Sequence, residues 1–412
     1  MVCVFIKNKS LSYVAGSGFY FVDIYTEFIR ILTMKTLHSI NAMRVIAEYI
    51  VVRYHLFVEG VGMDMFMRDL MSFFFVLSGF VMMHSHHKSS FVTFEQKKEF
   101  WFGRLKKIYP TYILNLSFYI PTLFVIAFQN NYCMYRLYCP LMQIFFLNSW
   151  AGCGIGYTIN PVCWYIGTLS WLWFLFPFIH IMLRMVLDQY VWFKIICINI
   201  MSVLFIIPFR EYEMFSICTL PVLRIGEFII GCGVSFALEQ QEFECMNFLK
   251  WLPFIFSLVY FSVVYTVLAL PHDKDWLCLH ENMQSYTCRS WQKSEWVEES
   301  PPCHVLWDKY FNKHAILWAA IIYTIASAEK CSQHGVLIRA LNHDIFKTLS
   351  SFSISVYLGH ASIKIALDSI TDFIGYHHFW YNDSTLFTTY MLCYVLHLLN
   401  QRITDYIYPI PA

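Results

Sequence analysis

The sequence predicts an all-α protein, a polytopic transmembrane helix bundle of about ten spans with both termini in the cytosol. Three observations predict it. Of 412 residues, 58% are hydrophobic, 19% aromatic and 14% charged, against about 25% charged in ordinary soluble domains. Apolar runs suited to spans of about 20 residues recur along the chain. Lys and Arg gather in two of the short segments between those runs, as the positive-inside rule expects of cytosolic connections. A net charge of +1 argues against nucleic acid as a partner, because phosphate binding calls for a clear basic excess or stripe.

The apolar runs lie at 42–62, 66–84, 108–129, 164–186, 191–208, 220–238, 251–270, 314–328, 348–368 and 385–402. Residues 1–40 read as a cytosolic leader: the stretch 19–34 is apolar but broken by Asp23, Glu27 and Arg30, and it lacks a basic start and a small-residue cleavage site. Residues 41–405 form one transmembrane domain, and 406–412 a short tail. Lys97, Lys98, Arg104, Lys106 and Lys107 fall between the second and third runs, and Lys330, Arg339 and Lys347 between the eighth and ninth. Both segments belong in the cytosol.

The other side then receives 130–163, 209–219, 271–313 and 369–384. Cys133, Cys139, Cys153, Cys163, Cys218, Cys278, Cys288 and Cys303 all fall there. Disulfides are expected among them in an oxidising compartment, although spacing alone leaves the pairing open. The cysteines show no CxxC spacing, so no metal is indicated. The 271–313 segment is longer than a connection requires and is either a cap over the site or a solvated insertion.

The stretch Arg44 to Glu59, RVIAEYIVVRYHLFVE, is apolar enough for one span yet carries five ionisable groups, which are costly at bilayer depth. At about 100° per residue, Arg44, Glu48, His55 and Glu59 project within roughly a 60° arc while Arg53 faces away. Such a stripe must face the bundle interior or a water-filled cavity, since lipid would leave its groups unsatisfied. One reading is a buried ladder of i,i+4 pairs, Arg44 with Glu48 and His55 with Glu59. The other is a functional site, in which His55 serves as a base, since histidine, with an unperturbed pKa of about 6.5, is the usual base at neutral pH.

The order Arg44-x10-His55, SFFFVLSGF (Ser72 to Phe80), FWFGRLKKIYP (Phe100 to Pro110), PVCWYIGTLSWLWFLFP (Pro161 to Pro177), PVLRIGEFIIG (Pro221 to Gly231) and SISVYLGHASI (Ser353 to Ile363) resembles the acyltransferase-3 family of multi-span membrane acyltransferases. The resemblance implies transfer of an acyl group, often acetyl from acetyl-CoA, to a hydroxyl of a carbohydrate or lipid-linked acceptor in the endomembranes or plasma membrane. Acyl-CoA is then a donor substrate, with no permanently bound cofactor.

On that reading His55 is the general base, Arg44 positions the donor and Glu48 is a further catalytic candidate. Arg104, Lys106 and Lys107 sit where CoA phosphates would lie, and the same residues would serve equally to orient a helix against anionic lipids. Trp164, Arg224, Glu227, Tyr357 and His360 are acceptor-side candidates. Each also has a plainer reading: Trp164 as an interfacial anchor, Arg224 with Glu227 as an internal ion pair, Tyr357 with His360 as a packed polar pair. Ser78, with no base spaced beside it, reads as a packing position next to Gly79.

The chain departs from the family pattern at Leu169, where a Glu is usual five residues after the Trp, at Glu48, where an apolar residue is usual, and at Arg53. A proton-coupled transporter, or an inactive scaffold using the same stripe, are the alternatives. Transport would favour inverted repeats with broken helices, and none is evident.

Overall fold

The computed structural model describes residues 37–57, 63–117, 135–150, 160–187, 189–209, 219–240, 314–330, 335–373 and 383–407, and every regular element among them is helical. In order these are α1 (His38–Phe57), α2 (Met63–Ser85), α3 (Phe94–Ser117), α4 (Tyr135–Ile144), α5 (Trp164–Val186), α6 (Val191–Ile206), α7 (Pro221–Gln240), α8 (Ala315–Lys330), α9 (Val336–Leu341), α10 (Asp344–Phe373) and α11 (Asp383–Ile407). The chain divides into Met1–Leu37 and His38–Ala412, and all these helices belong to the second unit. Helices α5 and α7 are long and apolar enough to cross a membrane, while α6 and the 69–85 part of α2 are shorter apolar helices.

Helix starts follow local chemistry. Helix α1 is capped from outside its own sequence: the Glu329 carboxylate of α8 accepts from His38 N at 2.9 Å, from Ser39 N at 3.0 Å and from Ser39 Oγ. An anion there satisfies otherwise orphaned N–H groups and the positive end of the helix dipole. Ahead of α3, Gln96 N donates to Thr93 Oγ1 at 3.3 Å while Thr93 N donates to Gln96 Oε1 at 3.1 Å, a reciprocal capping box. Asn160 accepts from Val162 N at 3.2 Å, and Pro161 opens the short 3₁₀ turn that leads into α5.

Each expected span other than 251–270 coincides wholly or partly with a helix. One boundary is corrected, and two short helices are added. Helix α3 begins at Phe94, so the segment carrying Lys97, Lys98, Arg104, Lys106 and Lys107 is helical and continuous with the start of the third span. Its charges interrupt the hydropathy run without interrupting the helix. Helix α4 falls within 130–163 and α9 between the eighth and ninth spans, both too short for an apolar-run search to register. The 251–270 run, the 271–313 segment and Glu59 lie outside the described residues. Cys163 is a free, buried thiol, and the side chains of the other cysteines expected on its side lie outside the described residues.

Helices α2 and α7 meet backbone to backbone. A Cβ added at Gly79 would stand 2.0 Å from Phe228 O, and one at Gly231 would stand 1.8 Å from Val76 O. Only glycine permits this approach. A second centre of packing joins α1, α10 and α11 through Val52, Leu56, Phe352, Val356, Ile363, Leu386 and Cys393. It holds the polar face of α1 in register with α10.

Candidate active site

Helix α1 turns its polar stripe onto α10. Arg44 Nη2 donates to Ser350 O at 2.9 Å, Ser353 Oγ donates to the Glu48 carboxylate, and the His55 ring stacks on His360 with centroids 5.2 Å apart and 30° between planes. The numbers rise together along both helices, so the two run in the same direction. Arg53 is exposed on the other side, where its Nη1 donates to Tyr49 OH at 3.3 Å. Among the described residues no direct ion pair joins Arg44 to Glu48, because each directs its side chain across to α10 instead. Glu48 is buried, whereas His55 is exposed although its stacking partner is buried. That difference is what the wall of an opening would produce.

A second tier of polar groups lies behind the seam. Tyr357 OH donates to Val162 O at 2.9 Å, and its ring packs 5.4 Å from Tyr165 and 6.1 Å from His360. Tyr165 OH lies 3.0 Å from Ser78 Oγ, which ties Ser78 to a phenol rather than to a base. Asn160 Nδ2 donates to Leu358 O at 2.8 Å, while Gln143 holds the Asn160 backbone through contacts of 3.1 Å and 2.5 Å. Trp164 is half-buried, with its ring 6.4 Å from Phe75. The 160–165 segment is therefore docked on the middle of α10.

Arg224 and Glu227 occupy the interior of the α2–α7 contact. Arg224 Nη1 donates to both Glu227 oxygens at 3.0 Å, Ser72 Oγ donates to Glu227 Oε1 at 2.5 Å, and the guanidinium lies 5.0 Å over the Phe75 ring. Both residues are fully buried. A buried charge requires such pairing and hydrogen bonding to persist.

The basic residues of α3 spread from half-buried Arg104, whose guanidinium lies 5.6 Å over Phe100, to exposed Lys106 and Lys107. Lys107 reaches solvent, yet surrounding protein desolvates its ammonium, and the charges of Arg104 and then Arg44 add to that effect, holding its pKa below the ordinary value. Arg44, Arg104 and Lys107 thus share one electrostatic neighbourhood. Arg44 Nε is buried there without a hydrogen-bond partner.

From residue 37, just ahead of α1, to residue 399 within α11, the sequence matches the family model described as an acyltransferase domain. The chain belongs to the acyltransferase-3 family. No curated protein and no solved structure matches it. It is an acyltransferase, and the match takes in α1 to α10 and most of α11.

Within this acyltransferase-3 enzyme the sequence-predicted residues fall into three groups. Arg44, Glu48, His55, Tyr357 and His360 come together on the α1–α10 seam, with Trp164 on the neighbouring segment. Arg104 and Lys107 join them electrostatically through Arg44, with Lys106 on the exposed side of the same helix. Arg224 and Glu227 bind each other. Sequence reading missed Ser350 and Ser353, which receive the stripe, and Tyr165. Ser353, Tyr357 and His360 stand at i, i+4 and i+7, one helical face, and that spacing was the available signal.

Proposed function

We propose that this protein is a multi-span membrane O-acyltransferase that moves an acyl group, acetyl in the simplest case, from acyl-CoA to a hydroxyl of a carbohydrate or lipid-linked acceptor. The observation that carries the reading is the α1–α10 seam: an exposed, uncommitted imidazole at His55 stands on the same helical face as a buried carboxylate and a buried guanidinium nitrogen without a partner. His55 takes the acceptor hydroxyl proton, and the oxygen attacks the thioester carbonyl. As the C–O bond forms and the C–S bond breaks, the CoA thiolate leaves and recovers the proton from the His55 imidazolium.

Arg44, Arg104, Lys106 and Lys107 receive the donor. Lys107, which lies in the field of Arg104 and Arg44, gains when a polyphosphate neutralises the cluster, and Arg meets phosphate with a planar fork while Lys acts as a point charge. Glu48, held by Ser353, supplies the buried carboxylate that Leu169 does not. Trp164 and Tyr357 border the acceptor side. Arg224 and Glu227 shape the wall by fixing α7 against α2. About ten spans place both termini and the α3 basic residues in the cytosol with the donor, in the endomembranes or the plasma membrane, where the basic residues also meet anionic lipid.

The test combines chemistry and sidedness. Purified protein with radiolabelled acetyl-CoA should release free CoA and place label on hydroxyl acceptors in an ester that mild base cleaves, and His55→Gln should lose both. In sealed cells, a tag near Lys97 should resist external protease and one near Glu298 should be cut. Thioester cleavage that persists undiminished in His55→Gln would sink the assignment, and cutting near Lys97 would reverse the orientation.

A further inference from the structure

The acceptor requirement can be narrowed from one nitrogen. His360 Nδ1 lies 3.1 Å from Val356 O, four residues back on its own helix. A carbonyl oxygen only accepts, so Nδ1 carries the hydrogen, and the neutral ring then presents a bare lone pair at Nε2. Nε2 is fully buried and has no hydrogen-bond partner. Two neighbouring polar groups on this seam are already engaged, Tyr357 OH with Val162 O and the Glu48 carboxylate with Ser353. A buried acceptor left unmet is costly, so its persistence beside an exposed imidazole needs a reason.

We propose that His360 Nε2 accepts a hydrogen bond from a second hydroxyl of the acceptor, adjacent to the one from which His55 takes the proton, so that the acceptor class is a vicinal diol. The inference rests on the reading of His55 as base. The two imidazoles stack at 5.2 Å, close enough for neighbouring hydroxyls of one small molecule to engage both rings. A simple alcohol would satisfy His55 and leave His360 Nε2 bare, and a site built to meet a hydroxyl discriminates against the analogue that lacks it. His360 is on this account a specificity-determining residue and takes no proton in the transfer.

The experiment uses the full-length protein in detergent and two probes differing by one hydroxyl, trans-cyclohexane-1,2-diol and cyclohexanol. ¹⁵N-histidine spectra should show the Nδ1–H form at His360, and its Nε2 resonance should move on addition of the diol and stay put with cyclohexanol. The diol should bind at least about tenfold more tightly. His360→Leu should remove that preference, bringing the Kd values of the two probes together, and His360→Gln, whose amide oxygen still accepts, should keep part of it. Equal binding of the two probes to the wild type, or a preference that survives in His360→Leu, overturns the proposal. Selective diol binding without dependence of acyl transfer on His55 would leave His360 in place and overturn the base assignment instead.

Discussion

His55 and His360, from opposite ends of the chain, stack face to face at 5.2 Å, one exposed and the other buried. Helix α1 alone would leave its imidazole free to rotate at an opening. Helix α10 packs against one face of a ring on a residue that stays exposed, and a general base requires that combination of orientation and reach, because proton transfer depends on both.

His55→Ala is therefore expected to lower kcat by about 10² to 10⁴ with little change in donor KM. His55→Gln retains a polar group but not an imidazole, and should be nearly as inactive while folding normally. Steady-state kinetics with both substrates varied makes the distinction. Near-wild-type turnover by folded His55→Gln would leave His55 a structural member of the seam.

The donor site predicts a different signature. Arg104→Gln with Lys107→Gln should raise the acyl-CoA KM with a smaller effect on kcat, because contacts to phosphate form already in the ground state. Arg44→Lys should rescue Arg44→Ala only in part, lacking the planar fork. The Lys107 pKa lies below the ordinary lysine value through desolvation and the charges of Arg104 and Arg44. Its cationic form is lost as pH rises through that lowered value, so acyl-CoA affinity should weaken in the alkaline range. The loss should be smaller in Lys107→Gln. Titration of acyl-CoA binding against pH checks both; an unchanged donor KM in the double variant would make the residues an orientation signal alone.

Helix packing gives a prediction with an internal control. Gly→Ala in a helix interior gains about 1 kcal/mol where space allows. At Gly103 a Cβ would meet nothing within 4 Å, so Gly103→Ala should stabilise. At Gly231 the same atom would stand 1.8 Å from Val76 O, a backbone atom that cannot turn aside. Separating α2 from α7 should cost more than the helix gain, for a net loss of about 1–3 kcal/mol. Thermal unfolding of the two variants in one detergent decides it, and Gly231→Ala as stable as wild type would count against the close crossing.

Much of this arrangement was legible in the sequence where a periodicity or a landmark carried it. The face shared by Arg44, Glu48 and His55, with Arg53 turned away, followed from helical spacing alone. Helix α5 begins and ends where the apolar run does, because Pro161 marks its start. Partners across helices were not legible: Ser353 for Glu48 and His360 for His55 depend on the register of α1 against α10, which no local pattern encodes. The basic part of α3 reads as a connection because hydropathy registers charge, whereas the Thr93–Gln96 capping box that starts the helix is polar.

The last prediction concerns Glu48 and Leu169, two positions where the chain differs in opposite senses from the pattern that the resemblance implies. The resemblance puts a carboxylate at 169 and an apolar residue at 48; here Leu169 is buried and apolar, and Glu48 is buried and hydrogen-bonded to Ser353. Both positions border one pair of rings. Leu169 stands one helical turn beyond Tyr165, Tyr165 packs 5.4 Å from Tyr357, and Glu48 is hydrogen-bonded to Ser353, one helical turn before Tyr357. If Glu48 performs the carboxylate's task from the facing helix, then Glu48→Leu should abolish most activity. Leu169→Glu in the wild type should destabilise the fold, because it adds a second buried acid with no partner. Combined, the two changes should partly restore both activity and stability, since one carboxylate again serves the Tyr165–Tyr357 pair. The double-mutant cycle reads the coupling directly. Simple addition of the two losses would mean that Glu48 serves the α1–α10 seam alone and that the family carboxylate has no successor in this chain.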